Sequence, residues 1–136
     1  MAATPAAKAP KGPRVVATIG LGEQVSGLAV SPRTGDVYVT TWDSRLPVIS
    51  GRTNQVIATV PGVPADPHEV AVSPLTGAIY TTDESTDLVS VIGGRTNKVC
   101  ANIRVANGPF AIEVSPLTGE AYVSVTDSDR LYVIAG

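Results

Sequence analysis

Ser31-Pro32-Arg33-Thr34-Gly35 returns as Ser73-Pro74-Leu75-Thr76-Gly77 and again as Ser115-Pro116-Leu117-Thr118-Gly119, at an interval of 42 residues both times. A period of roughly 40–45 residues is the mark of a repeated four-stranded unit. The turn chemistry agrees. Proline presets φ at the first turn residue, and the glycine three positions on tolerates the left-handed conformation that leads back into a strand. Each copy is therefore expected to make a tight hairpin turn at this motif.

Outward from the turn, each copy carries the same short segments. Leu28-Ala29-Val30, Val70-Ala71-Val72 and Ile112-Glu113-Val114 lead into it, and Val37–Thr40, Ile79–Thr82 and Ala121–Ser124, each with one tyrosine, leave it. A third run follows a polar loop, at Leu46–Ile49, Leu88–Ile92 and Leu131–Ile134. A fourth, Val56–Val60 or Val99–Ile103, follows Gly51-Arg52-Thr53-Asn54 or Gly94-Arg95-Thr96-Asn97. Runs rich in Val, Ile, Thr and Tyr between Gly, Pro, Asn and Ser clusters read as strands and turns. No segment keeps a 3.6-residue apolar period, so no helix is expected. The reading is an all-β chain: a β-propeller unit of three four-stranded blades, with repeats at approximately 15–55, 56–98 and 99–136 behind a flexible leader at 1–13.

The combination of an apolar pair, Ser-Pro-x-Thr-Gly, a Tyr-Val-Thr-like strand, Leu-Val-Ser-Val-Ile and Gly-Arg-Thr-Asn resembles the YVTN family of β-propeller repeats. Tyr38, Tyr80 and Tyr122 stand at the family's tyrosine, whereas its asparagine position holds Thr41, Asp83 and Val125. The resemblance implies blades arranged in a ring around a channel. Three blades fall short of the roughly 4–8 that close such a ring. Val15–Ile19 matches the fourth-strand runs but stands alone before the first copy, and the third copy shows no fourth run. The expectation is a homodimer: two chains close a six-bladed ring head to tail, and each N-terminal strand completes the partner's last blade and covers its edge.

Composition limits the function classes. The 136 residues are 43% apolar and 16% charged, with net charge −2. This suits a packed domain and supplies no basic footprint for nucleic acid. No apolar run reaches the length of a membrane span, and the first dozen residues lack the apolar core of a secretory signal, which leaves a cytoplasmic protein or an excised part of an exported one. A single cysteine, Cys100, which shares a strand column with Val16 and Ile57, argues against a disulfide framework and for a core role. No phosphate-binding loop or other cofactor signature is present, and no cofactor is expected.

The two tight turns barely vary between copies, while the connections on the opposite rim differ each time. Binding residues concentrate in loops on a rigid scaffold. Against the repeat columns, His68 replaces Ser26 and Phe110, Glu69 replaces Gly27 and Ala111, and Glu113 replaces Ala29 and Ala71. Trp42 stands where Glu84 and Thr126 do. Trp42, His68, Glu69, Phe110 and Glu113 are thus the candidate binding residues. Beside the reading of the chain as a partial copy of a longer propeller with no independent role, two functional readings stay open. One is a non-enzymatic scaffold that presents this rim to a small molecule or a protein. The other is a lyase or lactone hydrolase with His68 as base, assisted by Glu69 or by Glu113, the latter with Arg104 as a possible ion-pair partner. The acidic second-to-third-strand loops have calcium-like composition without an EF-hand spacing, and no metal site is assigned.

Overall fold

The computed structural model describes residues 12–64 and 67–136. Among them it contains eleven strands and no helix: β1 (Val25–Val30), β2 (Val37–Thr41), β3 (Leu46–Ile49), β4 (Val56–Val60), β5 (Pro67–Val72), β6 (Ile79–Asp83), β7 (Leu88–Ile92), β8 (Val99–Arg104), β9 (Pro109–Val114), β10 (Ala121–Val125) and β11 (Leu131–Ile134). They form three antiparallel meanders, β1-β2-β3-β4, β5-β6-β7-β8 and β9-β10-β11. These are the three blades, the third with three strands where the repeat pattern has four. The leader expected at 1–13 lies almost wholly outside the described residues. Val15–Ile19 forms no strand within this chain, and Val15 and Val16 are exposed.

The serine, threonine and glycine of the repeated turn each have a structural task. The serine hydroxyl accepts the next two free amides, from Arg33 and Thr34, from Leu75 and Thr76, and from Leu117 and Thr118, at 3.2 to 3.4 Å. The threonine hydroxyl accepts the amide two residues on, at Asp36, Ala78 and Glu120, 3.2 Å in each case. Gly35, Gly77 and Gly119 sit at φ of 79°, 80° and 79°, where a side chain would be strained. The second tight turn uses Asn54 and Asn97 at φ 60° and 55°, the residue type that tolerates this region. Both turns lie on one rim and leave the other to longer connections.

The blades stack front to rear. One apolar cluster joins Tyr38, Leu46, Val48 and Val60 of the first blade to Val70, Val72, Ile79 and Ile92 of the second. Another joins Ala71, Tyr80 and Val89 to Ile112, Val114, Ala121 and Val123 of the third. The same columns meet at both junctions, which is how one repeat sequence builds a continuous core.

Burial, and for Tyr38 the neighbouring Asp36 carboxylate, raise the Tyr38 phenol above its ordinary 10.0. Burial and then Cys100 do the same for Tyr80. A phenol whose folded pKa exceeds its unfolded value stabilises the fold fully below about 10, and this contribution is lost as pH climbs through the folded value. Alkaline unfolding should therefore coincide with phenolate absorbance. Tyr38→Phe should shift that transition to higher pH, and an unchanged alkaline midpoint would count against the coupling.

Candidate functional site

The innermost strands β1, β5 and β9 each open with an irregular register. In β1 the ladder pairs Val25 with Thr41 and Gly27 with Thr40, skipping Ser26. In β5 it pairs Pro67 with Asp83 and Glu69 with Thr82, skipping His68. In β9 the shift falls between Pro109 and Ile112, the span that holds Phe110. A bulged residue has no ladder partner, and its side chain is re-aimed. The three residues of this variable column thus sit on the rim opposite the tight turns, free of the sheet's alternation.

Hydroxyls hold these bulges across the blade junctions. Ser26 Oγ donates to Pro67 O at 3.1 Å and lies 2.8 Å from Thr40 Oγ1. Thr40 Oγ1 reaches His68 O at 3.4 Å, and Thr82 Oγ1 donates to Phe110 O at 2.8 Å while accepting the Glu69 amide at 3.1 Å. The backbones that carry His68 and Phe110 are thereby fixed by the strand behind them. Their rings meet with centroids 4.1 Å apart and planes tilted by 38°. Phe110 stays more than a third exposed. This is a tilted aromatic pair on a rigid frame, with its phenyl ring open to solvent and its imidazole half-buried.

The other candidates divide from this pair. Glu69 turns the opposite way, with its carboxylate over Gly27 of the first blade, 3.1 Å from where a Cβ there would stand. It makes no hydrogen bond to His68 among the described residues. Glu69 and Glu113 instead share an open groove of about 390 Å³ along the inner strands, lined also by Leu28, Val30, Val70 and Ile112. Glu113 is exposed there and forms no ion pair with Arg104, because β9 is innermost in its blade while β8, which carries Arg104, is the outer strand of its neighbour. Trp42 is exposed in the loop after β2. Its amide donates to Gln24 O at 3.0 Å, and its ring stacks on neither His68 nor Phe110. Cys100 is exposed rather than in the core, with Sγ 3.4 Å from Val91 O. It stands on β8, the outer strand of its blade, and that edge faces solvent.

Three of the acidic loop residues, Asp43, Asp83 and Asp87, are engaged locally. Asp43 accepts from Thr41 Oγ1 at 2.6 Å and pairs with Arg45, whose guanidinium also reaches Leu21 O. The Thr41 hydroxyl first, and then Arg45, hold its carboxyl below the usual value. Asp83 accepts the Ser85 and Thr86 amides, and Asp87 the Gly108 amide at 2.9 Å. The column that departs from the family asparagine therefore still makes loop bonds, through Thr41 and Asp83. Among the described residues no three His, Cys, Asp or Glu side chains gather as metal ligands. A second opening, of about 400 Å³, lies on the tight-turn rim between the first two blades, lined by Arg33, Tyr38, Thr76 and Arg95. The sequence signal for it was Arg33, which stands where Leu75 and Leu117 do.

Stacked antiparallel meanders whose first strands line a common groove define a β-propeller segment. Solved structures agree. The chain superposes on Kuenenia stuttgartiensis hydrazine synthase with a TM-score of 0.77 and 22% identity, over 91% of this chain and 36% of that one. It superposes on the β-propeller domain of Myceliophteria thermophila Cps50 (Swd1) with a TM-score of 0.73 and 11% identity, over 88% and 41%. For the WD40 repeats of RRP9 the values are 0.70 and 10%, over 86% and 40%. The likeness at these identities is one of fold, and the chain spans well under half the length of each. No family model matches the sequence, and no curated protein matches it.

Proposed function

We propose that the chain is a non-enzymatic binding module with YVTN-type repeats, which presents the bulged rim of its propeller to a small molecule or to a protein segment. The observation that carries this reading is the His68–Phe110 pair, an exposed phenyl ring 4.1 Å from a half-buried imidazole on backbones pinned by Thr40 and Thr82. Such a pair offers an apolar face with an imidazole donor and acceptor at its edge, which suits a flat or aromatic group. The divergence of Glu69 from His68 supports binding over general-base catalysis, since a base is ordinarily oriented by a hydrogen-bonded neighbour.

The test is an amide chemical-shift map against a library of small aromatic fragments. Perturbations should cluster at His68, Phe110 and the adjoining loops. Phe110→Ala should weaken the best fragments about tenfold, the scale of one aromatic contact, with little change in unfolding temperature. Fragments that gather at the Arg33–Arg95 cleft would refute the rim assignment. Turnover of a lactone or an eliminable substrate that vanishes in His68→Ala would replace the scaffold with an enzyme.

A further inference from the structure

We infer that the exposed rear of the first blade and the exposed front of the third are two halves of one interface, and that the occupant of each is a second copy of this chain, giving a six-bladed ring. The inference is independent of what the rim binds.

The chain supplies the template for this contact twice. On the rear face, Val70 and Ile112 are 4% and 6% exposed, while Leu28 in the same column is 60% exposed. Val72 and Val114 are 9% and 8%, against 54% for Val30. On the front face, Leu46 and Val89 are fully buried while Leu131 is 66% exposed, and Tyr38 and Tyr80 are each 4% exposed against 40% for Tyr122. The residue types that pack inside are the ones left bare outside, in the same register. Bare apolar faces of this kind mark an interaction surface, and here each is the complement of the other.

Two further features have their missing partners in a second copy. Thr82 sends its hydroxyl proton to the bulge carbonyl of the following blade, and Thr40 shares its own between Gly27 O at 3.3 Å and the following blade's His68 O at 3.4 Å. Ser124 holds the same column and accepts the Ala111 amide at 3.1 Å, yet it donates to nothing among the described residues. The acceptor that continues the series is the carbonyl of Ser26 in a second copy. In addition, β4 precedes β5 in sequence but is the outer strand of the blade before it. By the same rule, Val15–Ile19, which precedes β1, belongs beside β11 of a second copy, whose outer edge has no partner strand among the described residues. Two copies give six blades, within the roughly 4–8 of closed propellers. Glu113 need not be buried by this contact, because Ala29 and Ala71 of its column also line the inner groove.

The experiment is the solution mass of the 136-residue chain by size exclusion with light scattering. The expected result is twice 13.9 kDa, with an unfolding temperature that rises with protein concentration. A monomer, or three chains, overturns the ring. Because a head-to-tail ring uses both faces of every chain, Leu28→Asp and Leu131→Asp should each halve the mass on their own. If either variant stays dimeric, the copies meet face to face and the assignment is wrong. Both residues are exposed in the single chain, and a charge at either should leave the blades folded, as judged by an unchanged far-ultraviolet spectrum. Leu117→Asp, on the tight-turn rim and 89% exposed, should leave the mass at two chains; a monomer there would show that any surface charge disrupts association.

Discussion

Ile79→Ala lowers the stability of the fold by about 2–5 kcal/mol, the range for truncating a large buried aliphatic side chain, and the unfolding temperature by on the order of 10 °C. Ile79 is fully buried at the centre of the first junction, among Tyr38, Leu46 and Val48 from one blade and Ile92 from its own. Truncation there removes contacts from two blades at once, and rigid strands on both sides limit how far the cavity can collapse. Leu117→Ala, on an exposed turn, should stay within about 0.5 kcal/mol. The two variants compared by urea denaturation check the claim. A loss below about 1 kcal/mol at Ile79 would mean that the blades hold together mainly through their own ladders.

Gly94→Ala should destabilise by about 3 kcal/mol or more, at the upper end of overpacking effects. A Cβ on Gly94 would stand 2.2 Å from the carbonyl oxygen of Gly77 and 2.8 Å from its carbon. The obstacle is backbone, so no rotamer change relieves it. The two tight turns of the blade would have to separate, and the hydroxyl caps of the Ser73 turn with them. Gly20→Ala, which meets nothing within 4 Å, is the control and should leave the urea midpoint unchanged. Equal midpoints for the two variants would show that the turns are not in contact in solution.

This contact also shows what the sequence could convey. The strands were legible because three copies of one pattern average out local ambiguity, and Ser-Pro-x-Thr-Gly named its own hydrogen bonds through residue chemistry. The glycine in Gly-Arg-Thr-Asn was legible as a turn residue but not as a steric necessity. Its reason is a carbonyl 17 residues away, counted from Gly77 to Gly94. The site was legible in part. Departures from the columns picked out His68, Phe110, Glu69 and Glu113, and the structure brings the first two together. His68 and Glu69 are adjacent in sequence but point apart, because neighbours on a strand diverge and one of them sits on a bulge. The bulge leaves no residue signature at its own position. Its trace is the hydroxyl column Thr40, Thr82 and Ser124 on the adjoining strand, which the sequence shows but does not explain. The strand column of Cys100 suggests burial, but β8 is the open edge of its blade and the thiol is exposed.

The irregular register at the start of each inner strand separates heritable shape from heritable chemistry. A residue outside the ladder can be serine, histidine or phenylalanine in successive copies while the strands on either side keep their order and direction, as Ser26, His68 and Phe110 demonstrate within one chain. The propeller therefore carries positions where binding character can be exchanged almost independently of folding. A family of variants altered at these three positions alone would share one scaffold and differ in what they recognise.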